Sequence, residues 1–270
     1  MSSAKISALI ITYNEEKNIA RCLDALVGLA DEIVVVDSYS TDRTPEICRA
    51  YPKVRFLQNP FAGHIEQKNF ALDQATGDYQ LSLDADEVLS PELQRSIAQA
   101  KAAGFGAEAY RFNRRTHYVD RWIKHCGWYP DTKLRLVRRG TARWGGQNPH
   151  DKLIPKNPRA RTVWLHGDLL HYSYASIAEH VQQTNKFTSI AAEALHRQGK
   201  RSCTWKIFTR PLLQFVRDYF FKLGFLDGKY GFVICYINGL SALLKYAKLK
   251  ELQNAKSPVE ASPIRSPHDS

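Results

Sequence analysis

The chain has 270 residues, 44% of them apolar, 11% aromatic and 24% charged, with 15 Gly and 12 Pro; this composition excludes a disordered, collagenous or disulfide-stapled chain and suffices for a substantial core. A net charge of +11 conceals an asymmetry, because residues 1–110 carry 10 Lys and Arg against 16 Asp and Glu while residues 111–270 carry 28 against 11. A polyanion or an anionic surface should therefore meet the second half only.

Residues 6–11 form an apolar run too short for a secretory signal, and it leads straight into Thr12-Tyr13-Asn14-Glu15-Glu16, so the protein is expected to stay in the cytoplasm. Together with 32–36, 54–57 and 80–83 this run reads as a buried parallel strand. Asn14 is expected to cap a helix carrying Ile19, Leu23 and Leu26 at helical spacing, with Gly28 just past its end. Helices follow at 44–50, 65–74 and 91–102, the last with Ser90 as N-cap and Pro91 at the first helical position. Strand and helix alternate, which predicts an α/β layer whose ligands bind at the strand carboxyl ends.

After Gly104 the pattern loosens into short strands at 110–113 and 133–137 among loops rich in Trp, Arg, Gly and Pro. The letters of Gly104-Phe105-Gly106-Ala107-Glu108-Ala109 match a dinucleotide fingerprint, but they follow a helix and precede a strand, the reverse of what that motif needs. A helical period returns at 176–197. Residues 203–249 follow as an aromatic, basic stretch: from 200 to 250 there are 10 basic, 2 acidic and 11 aromatic residues. The longest uncharged run in it, 230–244, has 15 residues, short of the roughly 20 that span a bilayer; interfacial binding is expected instead. The tail, 251–270, is rich in Pro and Ser and should be disordered. The five cysteines (Cys22, Cys48, Cys126, Cys203 and Cys235) are widely spaced without a CxxC pair, which argues against a zinc site and for a reducing compartment.

Three of the expected strands end in acids or amides: Thr12 to Glu15, Asp37-Ser38 with Asp42 beyond, and Asp84-Ala85-Asp86-Glu87. In a parallel sheet these ends share one edge, so the acids converge on one crevice. Asp84 and Asp86, one residue apart, present two carboxylates as a hard cation requires, and Mg²⁺ or Mn²⁺ there would let an acidic pocket hold a diphosphate.

The combination and order of Ile10-Ile11-Thr12-Tyr13-Asn14-Glu15-Glu16, Val35-Val36-Asp37-Ser38 through Thr41-Asp42, Gln67-Lys68-Asn69 and Leu83-Asp84-Ala85-Asp86-Glu87 resembles the inverting family 2 glycosyltransferases. The later Trp128-Tyr129-Pro130-Asp131 and residues 225–231 are similar to the lipopolysaccharide core β-1,4-glucosyltransferases within that family. The resemblance spans roughly residues 4–250. It implies a GT-A fold, a Rossmann-like nucleotide-binding sheet with helices on both faces, plus a C-terminal helical region that associates with membrane. Residues 1–110 would form the nucleotide-sugar half, 111–199 the acceptor-binding and catalytic half, and 200–250 the basic aromatic helical region.

Carried over by position, the resemblance makes Thr12, Asn14 and Glu15 the start of the nucleotide pocket, places Asp37 on the uracil ring and Lys68 near the donor, and gives Asp84 to ribose or metal-bound water. Asp86 would ligate the divalent metal, with Asp84 beside it and His171 as a further ligand. An inverting transfer needs a carboxylate base, for which Asp151 is preferred over Asp131; many relatives carry Glu at this place.

The implied function is transfer of a hexose, glucose from UDP-glucose, to a heptose of the lipopolysaccharide inner core. Its partners would be a UDP-sugar donor, a lipid-anchored saccharide acceptor and an anionic membrane surface, with the enzyme peripheral on the inner face of the inner membrane. The alternatives are another UDP-sugar donor, a capsule or glycoprotein acceptor, or, from a different class, a basic nucleic-acid-binding protein. That last reading leaves the strand-end acids without a role, and no nucleic-acid partner is expected.

Overall fold

In the computed structural model, which describes residues 4–147 and 150–254, the N-terminal apolar runs form the expected strands and helices. They are β1 (Ile6–Thr12), α1 (Ile19–Val27), β2 (Glu32–Asp37), α2 (Thr44–Arg49), β3 (Val54–Gln58), α3 (His64–Gln74), β4 (Tyr79–Asp84), β5 (Glu87–Leu89) and α4 (Pro91–Ala102). Beyond them come β6 (Ala109–Tyr118), β7 (Arg121–Trp122), β8 (Asp131–Arg138), β9 (Ala142–Gln147), β10 (His150–Pro155) and β11 (Thr162–Tyr174). The main sheet runs in the order β3-β2-β1-β4-β8-β6-β11-β5, with β7 paired to β6, and β9 and β10 form a separate antiparallel hairpin.

Strands β3, β2, β1 and β4 are mutually parallel, and the strand order reverses beside β1, the place where open α/β sheets hold ligands. Alternation along the strands separates two cores. Ile6, Ala8, Ile10, Ile33 and Val35 face the layer with Ile19 and Leu23 of α1 and Leu93 of α4. Leu9, Val34 and Val36 face Ala71 and Leu72 of α3, and Trp144 and Leu153 of the hairpin. Helices thus cover both faces, and a run such as Ile33 to Val36 is apolar throughout because both sides are buried.

Ser90 caps α4 by accepting from the Leu93 N–H at 3.2 Å, and Gly104 follows that helix at φ 76 before β6 begins, a helix-end glycine and not a nucleotide loop. Asn14 does not cap α1. The helix begins after Asn18, and Asn14, at φ 55, accepts instead from the Thr41 N–H at 2.8 Å, which ties the β1–α1 loop to the β2–α2 loop.

Contacts divide the described residues into two compact units: residues up to Lys124 with Trp128–Ala175, and His125–Gly127 with the chain from Ser176 onward. The helix α5 (Ile177–Arg197) packs on α7 (Gly228–Asn254), and the Lys248 ammonium of α7 donates to Asn185 and Thr188 of α5 at 2.7 and 2.9 Å. Between them α6 (Thr204–Val216) continues into a π-helical turn, Arg217–Phe221, and a 3-10 turn, Gly224–Asp227. Helix α7 runs to Asn254, past the start of the expected tail; residues 255–270 lie outside the described residues. The stretch Gly224–Asn254 is long enough, and its most apolar part apolar enough, to cross a membrane by length and composition alone.

Candidate active site

Register brings the strand-end residues together. Thr12 lies opposite Asp37 and Ile11 opposite Asp84, so the three predicted termini stand side by side across β2, β1 and β4. Thr12 is buried, and its hydroxyl makes no hydrogen bond. Asp37, wholly buried, accepts from the Ser40 N–H at 2.9 Å, from the Ser40 hydroxyl, and from the Gln58 amide at 3.3 Å; its immediate work is to shape the loop after β2. Glu15 accepts from the Asn18 amide at 2.8 Å. Burial raises its carboxyl above the usual range, and the negative neighbours Asp86, Asp42 and Asp84 add to this against the Asn18 bond.

Lys68, on α3 and nearly buried, joins two of the predicted acids. Its ammonium lies 2.9 Å from Asp84 Oδ1 and 2.8 Å from Asp151 Oδ2, and 4.4 Å from the Trp144 ring centroid. Asp151 sits on β10, whose partner strand carries Trp144, and Asn69 fixes that strand by exchanging hydrogen bonds of 3.0 Å with the Trp144 backbone. Arg135 approaches Asp84 from β8, donating to Asp84 Oδ2 at 3.1 Å and to Glu87 Oε1 at 2.8 Å. Burial by itself would raise the Asp84 carboxyl, but Lys68 and Arg135 outweigh it and hold Asp84 well below the carboxylate range. Glu87, wholly buried, accepts in addition from the Asp84 N–H at 3.0 Å and from Arg114 at 3.3 Å. Every buried charge here has a partner, and removing one would strand the others.

Asp86 faces elsewhere. Its Oδ2 is 3.0 Å from His171 Nε2, and its backbone carbonyl accepts from the Tyr172 N–H at 3.0 Å. Strand β11 pairs with β5 at His171 and Glu87, which explains how a residue so distant in sequence reaches the acidic turn. Among the described residues no group of three or more His, Cys, Asp or Glu is arranged to hold a metal. A carboxylate and an imidazole meeting at 3.0 Å nevertheless fit a cation whose remaining ligands come from a diphosphate and water.

Asp131, at the start of β8, is held by Arg114 at 2.9 Å and Lys133 at 3.0 Å. The aromatic residues beside it are engaged by protein: Trp128 packs 5.7 Å from both Tyr118 and Tyr174, and Tyr129 donates to Asp168 at 3.0 Å. The structure thus brings Lys68, Asp84 and Asp151 to one point and holds Asp131 on Lys133 and on Arg114, which also reaches Glu87 of that network. Arg135 and Trp144 escaped the sequence reading, which named Glu87 among the strand-end acids without giving it a role of its own. A charged residue inside the apolar run Leu134 to Val137 was the available signal for Arg135.

A crevice lined by strand-end acids at the point where the strand order reverses, on a mixed sheet covered by helices, is the arrangement of a GT-A architecture. Residues 7–153 match the model of glycosyl transferase family 2, and the chain belongs to that family. It is 31% identical over 264 residues to the lipopolysaccharide core biosynthesis glycosyltransferase LpsC of Rhizobium meliloti, covering 93% of this chain and 94% of that one. It is also 31% identical over 266 residues to an uncharacterized glycosyltransferase of Rickettsia typhi, covering 96% and 91%. Among solved structures it is similar to residues 1–349 of S. aureus TarS in complex with UDP, at 16% identity and TM-score 0.46 over 92% of this chain and 91% of that one.

Proposed function

We propose that this glycosyltransferase moves a hexose, glucose from UDP-glucose, with inversion onto a heptose of the lipopolysaccharide inner core, at the cytoplasmic membrane surface. The observation that carries the reading is the single ammonium of Lys68 shared by Asp84 and Asp151, which sets a donor-side acid and a base within one ion-paired cluster. Thr12, Asn14, Glu15 and Asp37 line the nucleotide side. Asp86 and His171 would hold a divalent cation, which when bound neutralises the diphosphate as it departs.

Asp151 takes the acceptor hydroxyl proton as that oxygen attacks the anomeric carbon, in one displacement. Lys68 orients the carboxylate, and the stacked Trp144 keeps the ammonium in place. Asp131 is less suited to this role because two cations already hold it. The LpsC relative supports a lipopolysaccharide core acceptor, and the excess of basic residues beyond residue 110 suits phosphorylated and acidic core sugars.

The test is a panel of UDP-glucose, UDP-galactose and UDP-N-acetylglucosamine offered with a heptose-terminated core acceptor and Mn²⁺. Transfer from UDP-glucose is expected. Preferential transfer from another UDP-sugar would overturn the donor assignment, and transfer only to a capsule or peptide acceptor would overturn the acceptor.

A further inference from the structure

The turn between α6 and α7 is built the wrong way round for a soluble helical hairpin. Phe220, Phe221, Leu223, Phe225 and Leu226 are all exposed, Phe221 to 80% and Phe220 to 55%. Helix α6 buries no residue at all, and Trp205, Phe208, Leu212 and Leu213 extend the apolar surface along it.

Polar anchors hold the turn in this state. Asp218 is buried and accepts from the Gln214 amide at 2.6 Å, the Asn238 amide at 3.0 Å and Arg217 Nε at 3.1 Å. Asp227 is buried as well and accepts from the His125 N–H at 2.8 Å. Backbone packing adds to this, since a Cβ on Gly231 would stand 1.9 Å from the Gly224 carbonyl oxygen. The polar groups face inward and the large apolar ones outward.

Charge selects the occupant of this surface. From 201 to 250 the only acids are Asp218 and Asp227, both buried, whereas Arg210, Arg217, Lys222 and Lys229 are exposed, Arg217 and Lys222 while also pairing with Asp218 at 3.1 and 3.7 Å. Every exposed Asp, Glu, Lys or Arg side chain within residues 201–250 is therefore positive. A second copy docked symmetrically would set these cations against each other, whereas a bilayer offers phosphate at the level of the cations and acyl chains beneath.

We infer that the α6–α7 turn is a wedge that inserts Phe220, Phe221 and their apolar neighbours into the acyl region of an anionic bilayer, with Arg217, Lys222 and Lys229 on the headgroups. The inference rests on the reading of a membrane-anchored acceptor and specifies the element and its mode, insertion and not surface adsorption alone.

The experiment is flotation of the full-length protein with phosphatidylcholine vesicles, with and without phosphatidylglycerol, at low and raised salt. It compares wild type, the double variant Phe220→Ser, Phe221→Ser, and the double variant Lys222→Gln, Lys229→Gln. Wild type is expected to bind anionic vesicles and to stay partly bound at raised salt. The phenylalanine variant should bind about tenfold or more weakly at both salts, with UDP-glucose hydrolysis and helical content unchanged. The lysine variant should lose only the salt-sensitive fraction. Wild-type binding by the phenylalanine variant would overturn the insertion while leaving membrane association standing. Absence of vesicle binding by wild type, with efficient transfer to a water-soluble acceptor, would instead overturn the membrane-anchored reading itself. A wild-type dimer that the phenylalanine substitutions convert to monomer, without vesicle binding, would assign the surface to a second copy.

Discussion

In the first compact unit the acids and bases at the strand ends pair with one another, whereas around the α6–α7 turn of the second the exposed charges are positive. Around β4 the acids Asp84, Glu87 and Asp151 are joined by Lys68 and Arg135 in one buried network. Around the α6–α7 turn the two acids are sealed inside and the bases are exposed, with Arg217 and Lys222 still reaching Asp218 at 3.1 and 3.7 Å. The first arrangement is preorganised, with its charges fixed before substrate arrives; the second leaves an excess of exposed positive charge. On the proposed reading, catalysis belongs to the first cluster and membrane attachment to the second, and substitutions should affect one without the other.

The largest effect should come from Asp86. Asp86→Ala is expected to lower transfer about a thousandfold and to abolish the Mn²⁺ dependence of UDP binding, measured by turnover and calorimetry, because the diphosphate would then meet an acidic turn without its bridging charge. Vesicle binding should not change. Removing metal with EDTA should reproduce the loss in the wild-type enzyme, reversibly on adding Mn²⁺.

Asp151→Asn should cost about a hundredfold or more in turnover while UDP-glucose binding stays within a few-fold, the pattern of a lost general base. Asp131→Asn serves as the comparison and should remain within a few-fold of wild type. The reverse ranking would move the base to β8.

In the second unit, Asp218→Ala should leave the buried amides of Gln214 and Asn238 without their acceptor. A loss of about 2–3 kcal/mol in the stability of the helical unit is expected, seen as an early unfolding transition while UDP binding persists. A single transition shifted together with the first unit would show that the two are one cooperative block.

The smallest effect concerns Glu15. Its carboxyl is raised mainly by burial, so the folded state binds this proton more tightly than the unfolded chain. Stability should therefore fall as pH rises from the unfolded value near 4.5 through the raised folded value, and the deficit should persist above it. Glu15→Gln removes the deficit: the variant should be modestly more stable than wild type at neutral pH and equal to it in acid, by denaturant unfolding at several pH values.

Much of this was legible in the sequence because the parallel strands are buried on both faces and read as unbroken apolar runs ending in acids. The alignment of Thr12, Asp37 and Asp84 follows from that pattern once the strands are parallel. Strand β11 was not legible: Gly167, at φ 96, and a register shift between Trp164 and Asp168 interrupt its alternation. Without that strand, His171 could be singled out only through the resemblance. The hairpin β9–β10 was missed because its sheet has only two strands and Trp144 packs against α3. Arg135 and Glu87 matter through pairs formed across the sheet, which no local window contains. The exposure of Phe221 was equally hidden, since an aromatic residue at helical spacing reads as core until its neighbours are known.

The most direct test of the central claim, a single displacement assisted by Asp151, is the anomeric configuration of the product. With α-linked UDP-glucose as donor, proton NMR of the isolated saccharide should show a β-glucoside, and Asp151→Asn should give the same anomer far more slowly. An α-glucoside would contradict the account, because retention requires two displacements and leaves a base for one without a role.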